Sequence, residues 1–302
     1  MRSDINLSME ARDFLAAAPE PHPDRTSDNL PHRRMLLKTH ASAAATRILQ
    51  TTGVTTRDIF IGGVPCLQVN PQRHTADWSI LYGFGGGFVE GSPLEDLNII
   101  ASLCEMTGAQ VIAPEYRLAP EHPWPAAIDD AFKVYETLAS TPFAIVGESA
   151  GGNLALCLML RAQAKGMGLP KAAALLSPWC DLTHSGDSLT FNEGRDPTLN
   201  GRASRDAASH YVGPNDANDP RISPINGTFG KDFPPFLLTT GTRDLLLSQS
   251  ARLAERLRES ETRVDMRVWD GMWHVFEWYD HLPEAKRSLR QIAAFLSQEM
   301  NR

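Results

Sequence analysis

An α/β fold with a mostly parallel central sheet, flanked by helices, is the architecture that this sequence predicts. From about residue 54 onward, short apolar runs alternate with longer amphipathic segments, which is the pattern of strands joined by helical crossovers. The composition agrees, because 42% hydrophobic and 22% charged residues in a chain of 302 are typical of a globular protein. Parallel strands are buried on both faces, so we expect helices on both sides of the sheet.

Eight apolar runs have the length of β-strands. In chain order they are 56–61, 66–69, 77–82, 110–113, 143–146, 172–176, 236–240 and 264–269. The first two or three lie too close together for helical crossovers, so they should form an antiparallel edge of the sheet. Amphipathic helices are expected at 94–106, 126–138, 153–165, 248–259 and 283–298.

Two segments interrupt this alternation. Residues 1–50 contain two helical windows joined by a Pro-rich linker, and residues 180–230 are rich in Gly, Asp, Asn and Pro, with one predicted helix at 201–211. Loops of this length in a compact domain usually serve a function, such as covering a site. We therefore predict an N-terminal cap segment (1–50) and a main domain (51–302) that carries a cap insertion at about 180–230.

Charge and hydropathy exclude several functions. Lys and Arg number 29 and Asp and Glu number 36, so the net charge is −7. A nucleic-acid partner is not expected, because phosphate neutralisation needs a basic surface. The apolar runs fall short of the roughly 20 residues that cross a bilayer, so no membrane span is predicted. The first residues lack the apolar core of a secretory signal, which makes the cytoplasm the expected location.

The cysteines give no sign of a metal or redox site. They lie far apart, in apolar contexts and without a C-x-x-C pair, at Cys66, Cys104, Cys157 and Cys180. Buried free thiols are the expectation. Neither a metal nor a cofactor is predicted.

The pentapeptide Gly147-Glu-Ser-Ala-Gly151 is the sharpest chemical signal. It follows an apolar strand and precedes a helical run, which is the strand, tight turn and helix context of a nucleophile elbow. Small flanking residues allow the sharp turn that exposes the hydroxyl of Ser149. The sequence therefore indicates a serine nucleophile.

A serine nucleophile needs a base that is oriented by a third group. Asp244 directly follows the predicted strand 236–240, and His274 follows the last strand, so the order serine, acid, histidine fits this type of site. The positional rivals are Asp270 for the acid and His281 for the base. Asp270 lies too close to His274 in sequence, and His281 is already entering the final helix.

Acyl transfer also requires N–H donors for the developing oxyanion. The run Gly85-Gly86-Gly87 follows a predicted strand and can present backbone N–H groups, and the N–H of Ala150 lies beside the nucleophile. A flexible turn or a phosphate-binding loop are the alternatives. The glycine spacing matches neither the dinucleotide nor the P-loop fingerprint.

Three motifs together resemble the hormone-sensitive-lipase family of α/β-hydrolases. They are Phe84-Gly-Gly-Gly-Phe88, Tyr116-Arg-Leu-Ala-Pro-Glu-His-Pro123 and Gly147-Glu-Ser-Ala-Gly-Gly152, and the likeness runs from about residue 50 to the end. The resemblance implies a capped α/β-hydrolase fold, carboxylesterase activity and no cofactor. It also implies a nucleophile, an acid, a base and three oxyanion donors at Ser149, Asp244, His274, Gly85, Gly86 and Ala150, in that order.

The chain departs from the family pattern at three places. Phe84 stands where the family usually has histidine, Glu148 where it more often has Asp or Thr, and Leu245-Leu246 where Pro-Leu is common. None of these removes a reacting group. The rigid turn 116–123 is interpreted as structural, with Arg117 paired to a carboxylate.

The expected function is hydrolysis of short- to medium-chain carboxylic esters, with a small-molecule ester as the partner. Phe84, Phe88 and Trp179 are candidates for lining the substrate pocket, although cores share this aromatic composition. Hydrolysis of an amide such as an aryl formamide, and a non-catalytic ligand receptor on the same fold, are the alternatives. A homodimer is compatible with the sequence.

Overall fold

An eight-stranded sheet forms the centre of the computed structural model, which describes residues 6–17, 26 and 28–302. The strands are β1 (Thr55–Ile61), β2 (Val64–Asn70), β3 (Ser79–Gly83), β4 (Gln110–Pro114), β5 (Phe143–Glu148), β6 (Ala172–Leu176), β7 (Phe236–Gly241) and β8 (Val264–Trp269). Their order across the sheet is β1-β2-β4-β3-β5-β6-β7-β8. All eight predicted strands are confirmed, and the predicted ends agree to within about two residues.

Two of the first three strands form the antiparallel edge, where the sequence predicted two or three. β1 pairs antiparallel with β2, and β2 pairs antiparallel with β4. β3 enters the sheet between β4 and β5 and runs parallel to both, so it does not belong to the edge. The remaining neighbours are also parallel. The loops that follow β3, β5, β7 and β8 therefore meet at one edge of the sheet, where this type of fold places its site.

Helices cover the sheet as expected for strands that are buried on both faces. The helices are α1 (Met9–Ala17), α2 (Leu30–Thr52), α3 (Leu97–Thr107), α4 (Ala126–Leu138), α5 (Ala150–Ala164), α6 (Ser188–Phe191), α7 (Gly201–Val212), α8 (Leu247–Glu259) and α9 (Pro283–Met300). α3 packs against α9, and α4 packs against α5. Every residue of β5, β6 and β7 is buried. The predicted α/β architecture is confirmed.

The N-terminal helix α2 docks on the loop that follows β3. Arg33 donates from Nε and Nη2 to the two carboxylate oxygens of Glu90, at 2.8 and 2.9 Å, and both side chains are buried. Its neighbour Arg34 donates to the carbonyl oxygen of Val89 at 2.7 Å. A buried bidentate pair is costly to break, because it leaves one charge unpaired in the interior. This pair fixes α2 over the carboxyl ends of the strands.

The first helix, α1, packs on the loop that follows β8. Leu7 and Ala11 are buried in one cluster with Trp269, Met272 and Trp273. This cluster continues through further apolar residues of the β8 loop and the start of α9. Both predicted N-terminal helices are thus observed, and they pack on the loops that follow β3 and β8.

The helix predicted at 201–211 in the insertion is confirmed as α7. The ring of Tyr211 stacks on that of Phe88, with 3.9 Å between centroids. The carbonyl oxygen of Tyr211 also accepts a hydrogen bond from the backbone N–H of Trp124 at 2.8 Å. The insertion is therefore attached to two loops at the carboxyl edge of the sheet.

Two smaller predictions concern the cysteines and Arg117. All four cysteines are buried free thiols, as predicted, and burial raises the pKa of Cys66 to about 11 and that of Cys104 to about 12. Arg117 forms the predicted pair, since its Nε and Nη2 donate to the carboxylate of Asp130 at 2.7 and 2.9 Å. Among the residues that the structure describes, no helix is long and apolar enough to cross a bilayer.

The buried Glu277 is expected to make stability depend on pH. Its Oε1 accepts hydrogen bonds from Thr239 and Ser288 at 2.8 and 2.7 Å, and burial raises the pKa of its carboxyl group to about 7. The folded state holds this proton more tightly than the unfolded chain does. The stabilisation is therefore complete below about pH 4.5 and is lost as the pH rises through about 7.

In the variant Glu277→Gln, the free energy of unfolding should depend less on pH. In urea titrations between pH 4.5 and 8, the free energy of unfolding of the native protein should fall more steeply than that of the variant, by up to about 1.4 kcal/mol per pH unit within the window. Glu105→Gln on the exposed face of α3 is the control and should leave the slope unchanged. Equal slopes for Glu277→Gln and the native protein would contradict the assignment.

Candidate active site

Ser149 lies in a strained turn between β5 and α5. Its backbone has φ of 51° and ψ of −115°, a region that residues with a side chain rarely occupy. The flanking glycines are required by space, because a Cβ on Gly147 would lie 2.2 Å from the carbonyl oxygen of Gly151. A Cβ on Gly151 would lie 2.0 Å from the carbonyl oxygen of Gly83. The turn therefore holds Ser149 at the carboxyl edge of the sheet.

The structure brings Ser149, His274 and Asp244 into one hydrogen-bonded chain. The Oγ of Ser149 lies 2.9 Å from Nε2 of His274, and Nδ1 of His274 lies 3.1 Å from Oδ1 of Asp244. With the Nδ1–H donating to Asp244, the Nε2 lone pair accepts the proton of the serine hydroxyl. Asp244 follows β7 and His274 follows β8, so parallel neighbouring strands deliver acid and base to the same place.

The carboxylate of Asp244 is buried and well supplied with donors. Its Oδ1 accepts the backbone N–H of Leu246 and its Oδ2 accepts the hydroxyl of Thr240, both at 2.8 Å. Burial alone would raise the pKa of Asp244, but the adjacent His274 and the hydrogen bonds, including one from Ser177, outweigh it and hold the pKa below its ordinary value. Asp244 is therefore ionised at neutral pH and can stabilise an imidazolium.

The two positional rivals, Asp270 and His281, do not take part in the hydrogen-bonded series of Ser149, His274 and Asp244. Asp270 accepts a hydrogen bond from the hydroxyl of Thr242 at 3.4 Å. The imidazole of His281 lies beside the rings of Phe14 and Tyr279, with centroids 6.2 and 6.1 Å away. The described contacts give neither of them a bond to Ser149.

The glycine loop after β3 approaches the elbow closely. Gly86 has φ of 92° and Gly87 has φ of 65°, which only glycine adopts without strain. A Cβ on Gly86 would lie 2.1 Å from the carbonyl oxygen of Glu90, so the loop is tightly folded. Ala150 is the first residue of α5, where N–H groups have no acceptor within the helix. The loop meets the elbow where a Cβ on Gly151 would lie 2.0 Å from the carbonyl oxygen of Gly83 and 2.6 Å from that of Phe84.

Gly85 has different surroundings from those expected for an oxyanion donor. Its backbone N–H is hydrogen bonded to the buried carboxyl groups of Asp96 and Glu148. A Cβ at Gly85 would lie 1.9 Å from Oε1 of Glu148, so this glycine allows the acid to pack directly against the loop. Burial, followed by the neighbouring Asp96, raises the pKa of Glu148 well above its ordinary value. Glu148 is therefore a neutral acid that hydrogen bonds to Asp96 beneath the glycine loop.

The three aromatic candidates for the substrate pocket are all buried. The ring of Phe84 stacks on Tyr116 at 4.0 Å, and the Tyr116 hydroxyl donates to the Phe84 carbonyl at 2.6 Å. Phe88 stacks on Tyr211, and the backbone N–H of Trp179 donates to the carbonyl oxygen of Ser149 at 2.9 Å. These contacts fasten the loops around the elbow. Contact of these rings with a substrate stays a prediction.

Two contributors to the site were not predicted. The hydroxyl of Ser177, after β6, accepts the backbone N–H of Val275 at 3.1 Å. Asp196, in the insertion, accepts the backbone N–H of His274 at 3.2 Å. The sequence offers no local signal for either contact, because each joins residues that only the fold brings together.

Comparison with known proteins decides the family. A family model for the α/β hydrolase fold matches residues 80–278 of the chain, which is more than half of its length. The chain belongs to the α/β-hydrolase fold family. It is 35% identical to an esterase of Acinetobacter venetianus over 253 residues, 82% of this chain and 83% of that protein. An acetyl-hydrolase of Streptomyces hygroscopicus is 33% identical over 78% of this chain and 83% of its own.

Solved structures of similar hydrolases agree. A hormone-sensitive lipase from a metagenome library superposes with a TM-score of 0.87 at 31% identity, over 98% of this chain and 100% of that one. An esterase of the bacterial hormone-sensitive lipase family gives a TM-score of 0.86 at 29% identity, over 97% of this chain and 99% of that one. The resemblance read from the three motifs is confirmed, and the chain is an ester hydrolase of the α/β-hydrolase family.

Phe84, which stands where the family usually has histidine, stacks on Tyr116. Because an imidazole is also a flat ring, Phe84→His should keep the stack and change kcat on a short ester by less than about tenfold. Phe84→Ala should lower both kcat and the melting temperature, since it empties a buried site. An increase of about 10³ or more in Phe84→His would show instead that the native loop is not formed for catalysis.

Proposed function

We propose that this hydrolase cleaves short- to medium-chain carboxylic esters through an acyl-enzyme on Ser149. The observation that carries the proposal is the continuous hydrogen-bonded chain from Ser149 through His274 to Asp244, which starts at a strained elbow. A hydroxyl is a weak nucleophile until a base removes its proton, and this chain supplies that base.

The mechanism follows from the positions of these atoms. As the Oγ of Ser149 attacks the ester carbonyl carbon, Nε2 of His274 takes the hydroxyl proton, and the charge of Asp244 stabilises the imidazolium. The C–O bond of the ester then breaks, and His274 returns the proton to the leaving alcohol. Water repeats the sequence on the acyl-enzyme and releases the acid, which restores the Ser149 hydroxyl.

The oxyanion would be stabilised by backbone N–H groups on both sides of the elbow. Gly86 and Ala150 are the candidates, because Ala150 directly follows Ser149 at the start of α5 and Gly86 belongs to the glycine loop whose residues Gly83 and Phe84 approach Gly151. The N–H of Gly85 is engaged by Asp96 and Glu148, so we assign Gly85 to holding the loop in place. We propose the neighbouring Gly87 as the remaining donor of this loop.

The names of similar proteins support short acyl groups. The relative in Streptomyces hygroscopicus is an acetyl-hydrolase, and one in Pseudomonas putida, 29% identical over 74% of this chain and 73% of its own, is an ethyl acetate hydrolase. The intact chain of Ser149, His274 and Asp244 argues against the receptor alternative, because a receptor has no need for an aligned base.

Removing the nucleophile tests the proposal. Ser149→Ala should lower kcat on 4-nitrophenyl acetate by on the order of 10⁴ or more while the protein stays folded, because the covalent route disappears. Ser140→Ala, an exposed serine before β5 and so at the end of this strand opposite to Ser149, should retain native kcat. Near-native turnover in purified Ser149→Ala would remove Ser149 from the mechanism.

The same preparations can define the substrate. A series of 4-nitrophenyl esters from two to twelve carbons, with matched anilides, separates ester from amide hydrolysis and gives the acyl-length optimum. We expect the highest kcat/KM on esters of short or medium length. A preference for the anilides would favour the amidase alternative.

We further propose that the N-terminal segment acts as a cap by stabilising the loop that carries His274. Phe14 of α1 stacks on Trp273, the residue before His274, with 4.6 Å between ring centroids and 8° between ring planes. Ser8 donates from its N–H and its hydroxyl to Glu284 at the start of α9, at 2.8 and 2.9 Å. The helix is therefore anchored on both sides of this loop.

Weakening the contact between Phe14 and Trp273 should lower kcat more than it changes KM. Phe14→Ala is expected to lower kcat by about threefold to tenfold with little change in KM, because His274 loses support for its orientation. Met9→Ala, an exposed residue of the same helix, is the matched control. A kcat equal to that of the native protein in Phe14→Ala would show that α1 plays no part in the site.

A further inference from the structure

A second carboxylate, that of Asp196, lies next to Asp244 and His274. It belongs to the insertion between β6 and β7, and its side chain is almost completely buried. Its Oδ1 accepts the backbone N–H of Thr198 at 2.9 Å, the hydroxyl of Thr198 at 3.0 Å and the N–H of Leu199 at 3.1 Å. This oxygen folds residues 196–199 into a tight turn.

The other carboxylate oxygen points to the catalytic loops. Oδ2 of Asp196 accepts the backbone N–H of Leu245 and the backbone N–H of His274, both at 3.2 Å. Leu245 directly follows Asp244, so one oxygen atom joins the loop of the acid to the loop of the base. The hydroxyl of Thr198 also lies 3.3 Å from the carbonyl oxygen of His274.

A second contact from the insertion supports the same arrangement. The side-chain amide of Asn192 donates to the carbonyl oxygen of Asp244 at 2.8 Å and to that of Thr242 at 3.2 Å. Asn192 and Asp196 thus both form hydrogen bonds to the backbone of the loop that carries Asp244. The loops of Asp244 and His274 are therefore both bonded to side chains of the insertion.

We propose that Asp196 is a positioning residue for proton transfer, which fixes the backbones of Asp244 and His274 and places a second negative charge beside the imidazole. The inference rests on the proposed role of Ser149 and deepens it. The ionisable groups that face Asp196 are Asp244, His274 and Tyr279. Of these, only His274 gains a positive charge during the reaction.

The charge of Asp196 is available at neutral pH. Burial and the nearby Asp244 raise its pKa to about 6, while His274 and the hydrogen bonds from Thr198 and Leu245 act in the opposite direction. An ionised Asp196 favours the protonated imidazole. It should therefore affect the pH dependence of the reaction, which a purely structural contact would not.

Asp196→Asn tests the proposal, because it keeps the shape of the side chain and removes its charge. On 4-nitrophenyl acetate, kcat should fall by on the order of 10- to 100-fold with KM within about threefold of native. The midpoint of the acid limb of kcat/KM should also move to lower pH by about half a unit or more, since the loss of a negative charge disfavours the imidazolium.

Asp181→Asn is a matched control within the same insertion. Asp181 is equally buried and accepts hydrogen bonds from Thr183 and Arg252, but its described bonds do not reach either catalytic loop. Removing the charge of Asp181 should not shift the acid limb of kcat/KM. A native kcat and acid limb in Asp196→Asn would overturn the proposal, as would an equal shift in Asp181→Asn.

A milder pair of variants covers the case in which Asp196→Asn does not fold. Thr198→Val removes one hydroxyl donor from Asp196, and Thr183→Val removes the corresponding donor from Asp181. Only Thr198→Val should lower kcat, by about threefold to tenfold at constant KM. An unchanged kcat, or an equal loss in both variants, would contradict the assignment.

The failure of this inference and that of the proposed function are distinguishable. Activity in Ser149→Ala would reject the serine mechanism itself. An inactive Ser149→Ala together with a fully native Asp196→Asn would reject only the role of Asp196.

Discussion

The close approach of two backbone segments is the constraint on which the site depends. The elbow at Ser149 and the loop after β3 pass so near each other that a single Cβ at Gly151 would overlap the carbonyl oxygen of Gly83. This close contact restricts the turn, so the strain at Ser149 is retained by packing. It also packs the segment from Gly83 to Gly85 against the elbow residues Gly151 and Glu148. His274 and Asp244 can act on Ser149 only because this turn fixes the position of its hydroxyl.

Three buried carboxyl groups surround the elbow, and their environments give them different states. Asp244 faces His274 and several donors, which keep it ionised despite burial. Glu148 faces another carboxyl group, Asp96, in a buried site, so it keeps its proton. A neutral Glu148 can donate to Asp96 while the N–H of Gly85 supplies a further hydrogen bond. One side of the elbow therefore carries the charge that the reaction needs, and the other side carries a protonated Glu148 beside Asp96 under the glycine loop.

The sequence predicted the parts of this arrangement that have local signals. Strand and helix periodicity located the sheet, and the motif around Ser149 and the positions of Asp244 and His274 after strands identified the residues that the fold brings together. The partners of Gly85 could not be predicted, because the pattern of glycines shows flexibility and does not show which N–H is already bonded. Asp196 was missed for a similar reason, since 78 residues separate it from His274 and only the path of the insertion brings them together.

The insertion and the N-terminal segment therefore do more than cover the edge of the sheet. Asp196 holds the backbone of His274 from one side, while Phe14 supports the neighbouring Trp273 through ring stacking. The loop between β8 and α9 is thus fixed by two segments that are distant in sequence and lie outside the central sheet. Within this loop, the backbone N–H groups of His274 and Val275 donate to the side chains of Asp196 and Ser177, so the orientation of the base depends on residues outside the loop. Sequence variation in the two segments can accordingly alter the alignment of the base without changing any reacting residue.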